Sequence, residues 1–123
     1  MVMNQSDTPS WVVEFYTDQR GLSPVIEFLQ SLSVRDRAKV ARYLQLLGEF
    51  GPSLAMPQAR HIEGRLWELR PDAYRVLYVM LAGRRCVLLH AFRKKTQATP
   101  RREIDLAVRR LNDLQTREEH EET

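Results

Sequence analysis

The stretch RLWELRPDAYRVLYVMLAGRRCVLLHAFRKKTQATPRRE, Arg65 to Glu103, decides how this chain folds. Its apolar and polar residues alternate and it is rich in Val, Leu, Tyr and Trp, the pattern of half-buried strands. Leu66 to Leu69 reads as one strand. Pro71-Asp72 supplies a turn, Tyr74 to Leu81 returns as the next strand, and Ala82-Gly83 turns again into a strand from Arg84 to Arg93. In that last strand Val87, Leu89 and Ala91 alternate with Leu88, His90 and Phe92, apolar on both faces as in a central strand. RKKTQATP then leaves the sheet, and Thr99-Pro100 reads as the cap and first position of a helix carrying Ile104, Leu106, Ala107, Leu111 and Leu114.

The same stretch concentrates the charge. It holds ten of the 19 Lys and Arg residues against Glu68, Asp72 and Glu103, so it carries +7, and the remainder of a chain of net charge +3 carries −4. A basic sheet on a mildly acidic scaffold is the footprint of a polyanion binder, which makes nucleic acid the expected ligand.

Upstream, Trp11 to Thr17 alternate as a first strand, and Ser23-Pro24 caps and starts a short helix bearing Val25, Ile26, Leu29 and Leu32 on one face. Ser33, with Asp36 three residues on, starts a second helix with the stripe Val40, Ala41, Leu44 and Leu47, closed by Gly48, Gly51 and Pro52. Arg35, Arg37, Lys39 and Arg42 lie mainly off that stripe, as solvated surface or, alternatively, as phosphate contacts. Pro52 to Pro57 reads as a linker and His61 as a surface residue at the sheet entrance. Residues 1–10 and 115–123 read as loose termini.

The expected fold is α+β, one domain over residues 1–123, with helices packed on a small, curved, mostly antiparallel sheet in the order β-α-α-β-β-β-α. No apolar run approaches the roughly 20 residues that span a bilayer, and MVMNQSDTPS has no signal-peptide pattern, so a cytoplasmic protein without membrane association is expected. Cys86, the one cysteine, sits in CVLL as a small core residue. Three scattered histidines and one cysteine match no metal-ligand spacing, and there is no phosphate-binding glycine loop or serine elbow, so no metal or cofactor is expected.

The runs LWELRPDAYRVLYVM (residues 66–80) and VLLHAFRKKTQATPRREIDLA (residues 87–107) resemble the phage-derived HigB-like branch of the RelE/ParE toxin superfamily, a likeness that extends from about Trp11 to Leu114. The resemblance implies a RelE-like fold and the toxin of a type II toxin–antitoxin pair. It further implies an mRNA endoribonuclease that works on the translating ribosome, and a helix-turn-helix antitoxin of the HigA type as partner. The rivals are a ParE-like DNA gyrase inhibitor without nuclease activity and a non-catalytic nucleic-acid-binding module, since one fold hosts several functions.

In such cleavage the ribose 2′-OH attacks the adjacent phosphorus, so the site must hold the attacking group in line, neutralise charge on the phosphoryl oxygens and manage two protons. Arg75 and Arg70 suit the phosphate clamp, because the planar guanidinium grips two oxygens and stays charged. In a tight hairpin they face each other, with Glu68 on their side to orient them or to act as base. Lys94 and Lys95 fall where the resemblance places the basic active-site loop. A lysine crowded by cations has a lowered pKa and can carry a proton. Arg93, Thr96, Gln97, Arg101 and Arg102 are candidate RNA contacts. His90 is weighed between proton transfer and a packed core position, and Tyr74 and Tyr78 between base stacking and core.

Overall fold

The computed structural model describes residues 10–122; the expectation of a loose start over residues 1–10 falls, but for Ser10, outside them. Strand β1 (Val12–Phe15) is followed by helices α1 (Pro24–Gln30) and α2 (Val34–Phe50), strands β2 (Ala59–Glu63), β3 (Leu66–Leu69), β4 (Tyr74–Leu81) and β5 (Arg85–Arg93), and helix α3 (Arg101–Glu122). The strands form one sheet in the order β1-β5-β4-β3-β2, antiparallel except where β1 runs beside β5. This is the expected α+β layout with one strand more.

That strand, β2, lies between the expected Pro52–Pro57 linker and the expected Leu66 strand, where the sequence pattern assigns no element. Polar RHIE and the flanking Pro57 and Gly64 hide it, yet as an edge strand it needs a partner on one side only. It pairs antiparallel to β3, with Arg60 opposite Glu68 and Ala59 opposite Leu69.

The helix starts follow their sequence signals. Ser23 Oγ accepts from Ile26 N at 3.2 Å and Ser33 Oγ from Asp36 N at 3.1 Å. Ending α2, Gly51 has φ +52, and a side chain there would meet the Trp11 ring, so glycine is required twice over. The end of α3 differs from expectation: instead of fraying after Gln115, the helix runs to Glu122. Arg85 holds it through Glu118 at 2.6 Å, and Arg117 reaches Asp113 at 2.9 Å and the Thr17 carbonyl.

The sheet separates two cores. On one face α1 and α2 cover Tyr74, Val76, Tyr78, Cys86 and Leu88; on the other α3 covers Leu66, Leu77, Val79, Val87 and Leu89 with Ile104 and Ala107. Cys86 is fully buried, and burial pushes its thiol up to about 12, which leaves it an inert packing group. Strict alternation fails in β5. A bulge falls where Leu77 pairs with His90 but Tyr78 with Leu88, so Leu89 and His90 both turn toward α3. Among the described residues, no helix is long and apolar enough to cross a membrane.

Candidate functional site

On the α3 face, β2, β3 and β4 bring three arginines around one carboxylate. The two-residue period puts Leu66 and Glu68 on the same side, and the register places Arg60 beside Glu68 across the β2–β3 pair. The pair Leu69–Val76 ends the β3–β4 register, leaving Arg70 and Arg75 flanking the Pro71-Asp72 turn, where Asp72 takes a positive φ of 56°.

Glu68 is 1% exposed, and its carboxylate is fully engaged. Arg60 Nη2 donates to Oε1 at 3.3 Å, while the Nε atoms of Arg75 and Arg70 stand 3.8 and 4.0 Å from the same oxygen. Thr99, at the end of the basic loop, donates its hydroxyl to Oε2. The same hydroxyl oxygen accepts from Arg60 Nη2 at 3.3 Å in place of the expected cap, and α3 begins at Arg101.

Three guanidinium groups against one carboxylate leave an excess of two positive charges. The Nε atoms of Arg60 and Arg70 are buried without a hydrogen-bond acceptor, an arrangement that costs free energy unless something supplies one. Arg75 differs from its neighbours. Its side chain is only 7% exposed, and Nη1 is committed to the carbonyls of Asp72 at 2.9 Å and Tyr74 at 2.6 Å. Burial lowers its pKa, opposed by the Glu68 carboxylate. Arg70, 18% exposed, has one Nη1 contact to the weak acceptor Met56 Sδ at 3.1 Å. Chemically, the cluster offers an oxyanion preorganised cationic donors whose geometry is held from below by Glu68.

The other candidate residues lie around this cluster rather than in it. Lys94 is half-buried with its main-chain N–H on the Ala73 carbonyl, and Lys95, Thr96 and Gln97 are exposed on the loop that crosses the sheet end. Arg93 turns to the α1–α2 face. There it lies over the Tyr74 ring at 5.5 Å and donates to its hydroxyl at 3.1 Å, while that hydroxyl donates to Asp36 at 2.6 Å. Arg101 is paired with Glu63 and Asp105, and Arg102 with Glu103 at 3.5 Å. Tyr78 is core, and burial raises its hydroxyl pKa.

His90 shares the α3 face with Glu68, but Leu77 stands between them in the cross-strand row. Its Nε2 is 2.6 Å from Glu103 and its Nδ1 3.2 Å from Arg110, with Phe92 stacked on the ring. Burial lowers its pKa; Glu103 opposes the shift and Arg110 adds to it.

Arg60 is the member that sequence reasoning missed. The signal was available: in RHIEGRLWE, a hairpin closed by Gly64 sets Arg60 across from Glu68. Among the described residues, no group of three or more His, Cys, Asp or Glu side chains is placed to hold a metal ion.

Comparison with known proteins bears on this arrangement. The profile of the family described as phage-derived protein Gp49-like matches residues 27–112. No curated protein sequence matches the chain. Among solved structures, a chain of the archaeal RelE–RelB complex from Pyrococcus horikoshii OT3 superimposes with a TM-score of 0.56 at 20% identity, covering 72% of this chain and 99% of that one. The fold is therefore similar to that of RelE.

Proposed function

This chain belongs to the phage-derived Gp49-like family, and from that premise we propose that it is the toxin of a type II toxin–antitoxin pair, a ribosome-dependent endoribonuclease of mRNA. One observation carries the reading: the arginine cluster around Glu68, three guanidinium groups against one carboxylate with Arg60 and Arg70 still partly exposed, beside a loop that carries half-buried Lys94 and exposed Lys95. An RNA phosphodiester, one negative charge shared over two non-bridging oxygens, complements the excess positive charge at the partly exposed side chains of Arg60 and Arg70.

In this reading the 2′-oxygen attacks phosphorus, the 5′-oxygen leaves, and charge builds on the phosphoryl oxygens. Arg70 is the phosphate contact, being partly exposed and held only by a thioether and a long ion pair to Glu68. Arg75 acts as a positioning residue: its Nη1 pins the hairpin turn and its charge shares Glu68. Glu68 orients the arginines and does not act as base, because it is enclosed by them and by Thr99. Lys94 and Lys95 carry protons and offset charge from the loop, with Thr96 and Gln97 donating to phosphate or sugar. The chain acts in the cytoplasm, where a separately encoded helix-turn-helix antitoxin of the HigA type neutralises it.

The test is brief induction in bacteria with 5′ ends mapped on translated and untranslated versions of one transcript. New ends on the translated version alone are the expected result. Growth arrest with intact transcripts overturns the nuclease reading and points to gyrase, and salt-dependent RNA binding without new ends leaves a binding module.

A further inference from the structure

The opposite face of the molecule carries a second feature that the nuclease reading does not use. Helix α2 buries Val40 and Leu47 against the sheet and packs Tyr43 and Leu46 partly onto the same core, and with Lys39, Arg42 and Phe50 these two half-buried residues make a border about 16 Å long at spacings of three and four residues. Lys39, Arg42, Tyr43 and Leu46 form one wall of a groove of about 440 Å³ whose far side is Gln58 and Asp72. Past Leu46 and Gln58 the groove continues into a hollow of about 340 Å³ bounded by Phe50, Leu54 and Met56. Phe50 and Met56 are 52% and 58% exposed, so a helix that is already amphipathic toward the core shows solvent an apolar end as well.

The groove is polarised. Lys39 pairs with Asp72 at 3.0 Å, but Arg42 beside it is exposed and meets no carboxylate among the described residues. Resting on the toxin reading above, we infer that this groove seats an amphipathic helix of the antitoxin, acidic where it lies over Lys39 and Arg42 and apolar where it lies over Phe50 and Met56. RNA suits the cationic end alone and would leave Phe50 and Met56 against water. A second copy of the chain, related by a two-fold axis, would set the cationic end of one groove against the apolar end of the other, leaving Arg42 without a counterion. A helix with a carboxylate at one end complements both halves, and Phe, Tyr, Met and Arg are the side chains that anchor such contacts.

The groove also touches the arginine cluster. Met56 on its rim accepts from Arg70, and Asp72 on its wall holds Arg75 through its carbonyl. A helix seated here therefore bears on the Arg70 side chain from behind, without entering the site.

The experiment uses the full chain with the protein encoded by the gene next to its own. Titration calorimetry and amide exchange are run on wild type, Phe50→Asp, Arg42→Glu and the α3 surface variant Thr116→Lys, each checked for fold by circular dichroism. The expected result is slowed exchange across residues 39–58. Affinity falls about tenfold or more for Phe50→Asp and about fivefold for Arg42→Glu, and is unchanged for Thr116→Lys. A tight complex indifferent to Phe50→Asp and Arg42→Glu overturns the groove and leaves the toxin reading standing. Absence of any complex overturns the inference, and the mapping of transcript ends decides the toxin reading separately. Self-association of the isolated chain abolished by Phe50→Asp, or RNA binding abolished by it, assigns the groove to another occupant and overturns the inference.

Discussion

The two ends of the sheet treat arginine in opposite ways. At the α3 C-terminus, Arg85 sits between two carboxylates, Glu14 at 2.9 Å and Glu118 at 2.6 Å, and its pKa is raised by those bonds. Nearby Asp113 takes both the Tyr16 hydroxyl, at 2.6 Å, and Arg117. Arg85, Glu14, Glu118, Asp113 and Arg117 each have a partner of opposite charge there. At the hairpin end three guanidinium groups share the one carboxylate of Glu68, and two buried donors lack acceptors. Saturated charge locks a helix onto a sheet; unsaturated, preorganised charge is poised for an incoming anion. The contrast separates a structural network from a candidate site in one small protein, where local counts of Arg alone would not.

The largest expected effect breaks the crowded end. Glu68→Ala leaves three cations with no internal counterion, and denaturant unfolding is expected to show a loss of about 3–5 kcal/mol, the cost of stranding buried charge. Next, Arg70→Ala is expected to slow RNA cleavage about 100-fold, equivalent to about 2.7 kcal/mol, as for removal of one transition-state donor. Its stability should move by less than about 1 kcal/mol, since Arg70 relinquishes only a thioether contact and a long ion pair. Arg75→Ala should impair both, which sharpens the difference between positioning and contact.

At the saturated end, Arg85→Ala is expected to cost only about 0.5–1 kcal/mol in the same unfolding measurement, because its partners are about a third exposed and water replaces them. Cleavage should be unchanged. The smallest effect is on pH dependence. His90 has its folded pKa lowered from about 6.5, so the unfolded chain binds more protons below that value. Its contribution to stability is complete above about pH 6.5 and is lost as pH falls toward the lowered folded value. His90→Gln should flatten that part of the stability profile.

Much of the fold was legible because β3, β4 and β5 carry alternating, β-favouring residues and both early helices begin with a serine cap. The β2 strand was not, since its residues are polar and its neighbours are Pro57 and Gly64. His90's orientation was hidden by a bulge, which no alternation count reveals. The site was half legible: the period of two joins Glu68 to Arg70 and the turn adds Arg75, but Arg60 arrives from the unread strand and Thr99 by a hydroxyl that sequence logic assigns to a cap. Burial was the quantity least accessible from sequence, and it separates Arg75, enclosed and committed to backbone carbonyls, from Arg70, which keeps an open side.

The most direct measurement compares the two ends in one assay: 5′ ends mapped on a translated transcript after equal expression of wild type, Arg70→Ala and Arg85→Ala. Ends that vanish with Arg70→Ala and persist with Arg85→Ala are the predicted result. Ends that persist with Arg70→Ala, or vanish equally with both folded variants, would contradict the assignment of the unsaturated cluster as the site.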